Sequence, residues 1–186
     1  MHFENMVKSD WRKFFGRVIM TIGEKIKTAR NLRGLTQKEL GIKLGFDEKS
    51  ADVRIAQYES STRTPKAELL SEIAAVLDVN INSLKNPSLE NTETFIHLLF
   101  DIEQESKKHH INNFSIISVS DELGNPQLAI QFHNHLLNEF LTEWQLRRKE
   151  LSEKIITEEE YAEWMMNFPA TSDDCGKSEP IKKWRK

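Results

Sequence analysis

Thr36-Gln37-Lys38-Glu39-Leu40-Gly41-Ile42-Lys43-Leu44-Gly45-Phe46, running on through Asp47-Glu48-Lys49-Ser50 to Ala51-Asp52-Val53-Arg54-Ile55-Ala56-Gln57-Tyr58-Glu59, is the stretch on which the reading of this chain turns. Thr36 followed by Glu39 has the spacing of a capping box, which satisfies two orphan N–H groups at a helix start. Leu40 and Leu44 supply the apolar side of that helix, Gly45 ends it, and Phe46 is placed to plug a core. A polar stretch then leads into a second short helix carrying Ile55 and Tyr58. Two short helices joined by a turn is the pattern.

The same grammar continues outward. Thr21 can cap a helix with Ile22, Ile26, Ala29 and Leu32 at helical spacing and Lys25, Lys27, Arg30 and Arg33 among them. Gly34 follows as the residue after its end. Thr64-Pro65 reads as a capping hydroxyl and a first-turn proline. They introduce Ala67 to Leu77, where Leu69, Leu70, Ile73, Ala74 and Leu77 make a thick apolar stripe. Asn80 caps a last short helix ending at Leu84. The reading predicts five short helices over residues 21–84.

Taken together, Gly34-Leu35-Thr36-Gln37-Lys38-Glu39-Leu40, Tyr58-Glu59, Arg63-Thr64-Pro65 and Ile73-Ala74-Ala75-Val76-Leu77-Asp78-Val79 resemble the lambda-repressor-like helix-turn-helix family, also called XRE or Cro/CI, over residues 20–85. The resemblance implies a five-helix DNA-binding domain whose second motif helix enters the major groove. It implies phosphate contacts from Thr36 and Gln37 at a helix N-terminus and from Arg63 and Lys66 in the following loop. Arg30 and Glu59 match a pair that forms an internal salt bridge, a structural role that spares Glu59 from repelling DNA. Base contacts fall on Ala51, Asp52, Val53, Arg54 and Gln57. Arg54 suits guanine, Gln57 adenine, and Val53 a thymine methyl. Gly45 to Glu59 runs about four residues longer than the usual motif spacing. The excess lies in Asp47-Glu48-Lys49-Ser50, where Asp47 suits a helix N-cap. Either the turn is enlarged or the recognition helix gains a turn.

Charge is divided unevenly. Residues 1–86 hold 15 Lys+Arg and 11 Asp+Glu, whereas residues 87–186 hold 11 and 18, giving the net -3 of the 186-residue chain. A mildly basic half beside an acidic one suits a nucleic-acid module joined to something that avoids phosphate. The single cysteine, Cys175, excludes an internal disulfide framework, so a reducing, cytoplasmic setting is expected. No apolar run nears the roughly 18 residues of a membrane span, and no secretory signal pattern opens the chain. Residues 1–19 fit the helical pattern poorly and leave Met20 as an alternative natural start.

The second half reads as a separate α+β region over residues 90–169, in the order α-β-β-α-α, after an Asn86-Pro87-Ser88 linker. Thr92 to Lys108 is amphipathic, with Phe95, Leu98, Leu99 and Ile102 on one side. Phe114 to Val119 and Leu128 to Phe132 flank a Gly124-Asn125-Pro126 turn as two strands. A helix from His135 to Lys154 carries Leu137, Phe140, Leu141, Trp144 and Leu151, and Thr157/Glu160 caps another through Trp164. Residues 170–186 are expected to be disordered. Catalytic readings are poor: no Ala-Gly self-cleavage site occurs, and Cys175-Gly176 is followed by only ten residues. His133-Asn134-His135 lacks the rest of a metal-nuclease pattern, and His97, His109 and His110 form only a loose set. Trp144, Trp164 and Phe140 read as core. A mainly α protein is therefore expected, with no catalytic residue, no metal and no cofactor. The function expected is a sequence-specific double-stranded-DNA-binding transcriptional regulator, a repressor acting as a homodimer away from membranes. Its second half would dimerise, sense a small-molecule effector or hold a protein partner. The alternatives are the antitoxin of a toxin–antitoxin pair, and a DNA-binding domain controlling a C-terminal enzyme.

Overall fold

The computed structural model describes residues 20–85 and 92–186. The N-terminal extension 1–19 and the Asn86-Pro87-Ser88 linker lie outside the described residues. The described chain is mainly helical with one small antiparallel sheet. Its elements are α1 (Ile22–Leu32), α2 (Gln37–Lys43), α3 (Ala51–Glu59), α4 (Ala67–Leu77), α5 (Ile81–Leu84), α6 (Thr92–Lys108), β1 (Phe114–Ser120), β2 (Pro126–Phe132), α7 (His135–Ser152) and α8 (Glu158–Asn167), with a short 3-10 turn at Asp174–Gly176.

Capping chemistry sets where these helices begin. Thr21/Glu24, Thr36/Glu39 and Thr157/Glu160 all close reciprocal capping boxes, each hydroxyl accepting the N3 N–H and each carboxylate accepting the cap N–H. The backbone hydrogen bond from Thr36, then its hydroxyl, holds the Glu39 carboxyl below its ordinary pKa. The start of α4 differs from the Thr64-Pro65 reading: Lys66 is the cap residue, makes no side-chain cap bond, and leaves buried Pro65 one position outside the helix.

The core of the first domain gathers Ile26, Ala29, Leu40, Ile55, Tyr58, Leu70, Ile73, Ala74, Leu77 and Leu84 from all five of its helices. A buried Leu or Ile side chain contributes about 1.5–3 kcal/mol, so this shared cluster is what makes short helices stable. Phe46 packs against it from the loop between α2 and α3.

The second half is built differently. On α7 the fully buried side chains are Glu143 and Arg147, while Trp144 is 46% exposed and Leu141 also lies outside. Trp144 Nε1 instead donates to the Tyr161 hydroxyl at 2.9 Å. Trp164 is buried and meets Phe168, which in turn takes Phe140 edge-on. Residues 170–186, expected to be disordered, pack on this unit: Thr171, Asp173 and Trp184 are buried. The cause is a polar network. Glu143 accepts from Trp164 Nε1 (2.9 Å), Asp173 N (3.1 Å) and Ser172 Oγ (2.5 Å). Arg147 pairs with Asp173 at 3.1 Å and lies against the Trp184 ring. Glu150 sits 3.1 Å from Arg147 Nε but off its N–H direction.

This unit docks on the first domain at α1, α5 and the end of α4. Asn80 N donates to Met166 O and Asn80 Nδ2 to Phe168 O, both at 2.9 Å. Arg33 donates to Leu77 O, Asp78 O and Glu163, and Lys182 pairs with Asp78 and Glu163. Burial pushes the Glu163 carboxyl up, but the hydrogen bonds and charges of Arg33 and Lys182 outweigh it and leave it below its ordinary pKa.

Candidate nucleic-acid interface

Close approach of α2 and α3 is the first geometric fact of the site. A Cβ added at Gly41 would stand 2.7 Å from Ala51 O and 2.8 Å from Ala51 Cβ, so the helices touch through a missing side chain. At the other end of α3, a Cβ at Gly23 would meet Glu59 O at 2.6 Å. Two glycines therefore seat α3 between α1 and α2.

An ion pair locks it there. Arg30 Nε and Nη2 donate to the two carboxylate oxygens of Glu59 at 2.5 and 3.0 Å, and both residues are buried. Arg30 Nη1 donates to Leu35 O at 2.6 Å, and Gln37 Nε2 donates to Glu59 Oε2 at 2.8 Å. One carboxylate thus ties α1, the start of α2 and the end of α3 together. Removing either partner of such a buried pair costs about 3–5 kcal/mol, because the other charge is left without compensation.

With Ala51, Ile55, Tyr58 and Glu59 turned inward, helical spacing turns Val53, Ala56, Gln57 and Ser60 outward. Asp52, Val53, Ala56, Gln57 and Ser60 line one shallow concavity with Gln37. Val53 is 52% exposed at its centre. Ala51 is a correction: its side chain is fully buried against Gly41 and cannot reach a base. Arg54 lies on the flank of the helix, its guanidinium carbon 4.3 Å from the centre of the Phe46 ring, where cation–π attraction orients it. Ala56 and Ser60 belong to the same surface and were passed over in the sequence. Their positions four residues after Asp52 and seven after Val53 were the signal.

Thr36 uses its hydroxyl within the capping box at the N-terminus of α2. Gln37 has one amide hydrogen committed to Glu59, which leaves the second free to donate outward. Arg63 and Lys66 are exposed, border a second shallow recess with Tyr58, Thr64 and Leu69, and form no ion pair among the described residues. The long loop after α2 is an enlarged turn: Asp47 Oδ1 accepts from Lys49 N, Ser50 N donates to Asp47 O, and α3 begins only at Ala51. Glu48, which would repel phosphate, pairs with Lys38 at 2.8 Å and holds that ammonium above its ordinary pKa.

The histidines are scattered. His133 bonds Ser115, His135 lies 3.5 Å from Glu139 and His109 3.6 Å from Glu105. Among the described residues no three His, Cys, Asp or Glu side chains form a group able to hold a metal. Likewise, no described helix is long and apolar enough to cross a membrane.

Comparison with known proteins bears on the first domain. No protein with a curated description matches the chain significantly. The crystal structure of transcriptional regulator BswR is similar, with 32% identity over 48% of this chain and 98% of that one, at a TM-score of 0.35. A helix-turn-helix family model matches residues 26–84. Those residues hold the α2–turn–α3 unit, its Arg30–Glu59 lock and the outward surface just described, and they belong to the lambda-repressor-like (XRE) helix-turn-helix family.

Proposed function

We propose that this chain is a sequence-specific transcriptional regulator that binds double-stranded DNA as a homodimer in the cytoplasm and represses by occluding a promoter. The observation that carries this reading is the outward side of α3. It is a rigidly seated helix face that carries the exposed apolar side chain of Val53, with Ala56 beside it, and the bidentate amide of Gln57. Arg63 and Lys66, without an ion pair among the described residues, follow it.

In the major groove Val53 meets a thymine methyl and Gln57 pairs with adenine N6 and N7. Asp52 accepts from a cytosine amino group, and Arg54 reaches guanine or phosphate from the flank. Gln37, Arg63 and Lys66 grip phosphates and set the register without reading sequence. A twofold axis places two α3 helices in successive major grooves, about 34 Å apart. No catalytic step is assigned to any residue. The second half supplies the partner surface and, in a regulated version, the effector site.

Selection of bound sequences from a random duplex pool tests the reading. Enrichment of an inverted repeat supports it, with Val53 and Gln57 variants changing the half-site. Absence of enrichment at physiological salt overturns sequence-specific binding.

A further inference from the structure

The hairpin is the least supported element of the described molecule. Among the described residues β1 and β2 pair only with each other, with Phe114 opposite Phe132, Ile116 opposite Ile130 and Ser118 opposite Leu128. Alternation along a strand gathers those apolar side chains on one face, yet Ile116 is 67% and Leu128 80% exposed. A two-stranded hairpin is marginal in water, and monomers rarely leave large contiguous apolar patches uncovered.

The main chain shows which edge is open. His133 N donates to Asn113 O and Asp121 N to Asn125 O, so the odd-numbered residues of β1 turn their polar groups toward β2. Phe114, Ile116, Ser118 and Ser120 turn theirs outward, and among the described residues no strand receives them. β2's outer edge begins with Pro126, which has no N–H to donate. β1, Phe-Ser-Ile-Ile-Ser-Val-Ser, has neither proline nor the charges that soluble proteins place on free edges.

We infer that a second copy of this chain adds its β1 to this β1, antiparallel about a twofold axis at Ile117, forming a four-stranded sheet with one continuous apolar face. The same uncharged strand on both sides is self-complementary, as a twofold contact requires. This deepens the homodimer of the proposed function and rests on it. Ile117, whose polar groups face β2, meets its own copy as a non-hydrogen-bonded pair with Cα atoms about 4.5 Å apart.

Sedimentation of the full chain without DNA tests the arrangement. The wild type is expected to be dimeric at micromolar concentration. Ser118→Pro removes an outward N–H that the hairpin does not use and is expected to raise the dimer dissociation constant roughly tenfold or more. Ser118→Thr keeps that N–H and is expected to dimerise like the wild type. Independently, Ile117→Cys in a Cys175→Ser background is expected to give an intermolecular disulfide under mild oxidation. A monomeric wild type, an undiminished Ser118→Pro dimer or an uncrosslinked Ile117→Cys overturns the inference. Duplex binding is read separately by gel shift. A monomer that still shifts a half-site sinks the dimer alone, and a dimer that shifts no duplex sinks the DNA reading alone.

Discussion

The helix-turn-helix domain and the α7–α8 unit solve the burial problem in opposite ways. Residues 22–84 collect an apolar cluster from five short helices and admit one buried ion pair, Arg30–Glu59, at the junction of three of them. Residues 135–186 bury Ile156, Trp164 and Trp184 with fully buried Glu143 and Arg147, and use the tail to give Glu143 two donors and Arg147 a carboxylate partner. The first arrangement tolerates hydrophobic exchange as long as volume is kept. The second is unforgiving, because a half-satisfied polar network in a low-dielectric site is worse than an apolar one.

That contrast can be broken most severely at Arg147. Arg147→Met should leave Asp173 without its buried partner and destabilise the C-terminal unit by about 3–5 kcal/mol. Urea unfolding followed by tryptophan fluorescence should show the loss, since Trp164 and Trp184 lie in that unit. An unchanged midpoint would remove the network from its stabilising role. Next comes Gly41→Ala, which forces α2 and α3 apart and should cost about 1–3 kcal/mol, with reduced affinity for all duplexes. A variant as stable and as tight in binding as the wild type would show that the helices can shift apart freely.

At the interface itself the effects are smaller and more selective. Gln57→Ala and Arg54→Ala should each relax base preference by about 1–3 kcal/mol, whereas Gln37→Ala should weaken all duplexes about equally. An unchanged preferred sequence in Gln57→Ala would mean that a different part of α3 faces the bases. The weakest test concerns the joint between the two units. Glu163 lies below its ordinary pKa, so the stability it contributes is present above the usual carboxylate range near pH 4 and is lost as pH falls through its lowered folded value. Hydrogen exchange around Asn80 and Met166 should rise over that acid range in the wild type, and Glu163→Gln should flatten the response.

Legibility follows the range of the interactions. Thr36 and Glu39 are three residues apart, so their capping box is written in the sequence, as are those of Thr21 and Thr157. The inward side of α3 followed from Ile55 and Tyr58. Ala51 was read outward, because nothing local reveals that Gly41, ten positions earlier, presses on it. The tail was read as disordered for the same reason. Trp184 and Asp173 show no periodicity, and their partners Arg147 and Glu143 lie some 26 to 37 residues back in the chain. Trp144 and Leu141 were read inward because apolar residues on a helix usually are, yet Glu143 and Arg147 took the buried side.

The sequence by itself determined the capped starts of α1, α2 and α8, the helix-turn-helix domain and its family, since caps and apolar periodicity act between residues a turn apart. Only the tertiary structure decided which charges are buried, where the tail goes and which side chains of α3 remain outward. Those outcomes depend on contacts that bring distant residues together, and the free energy of burying Glu143 or seating Ala51 exists only once the partner is in place.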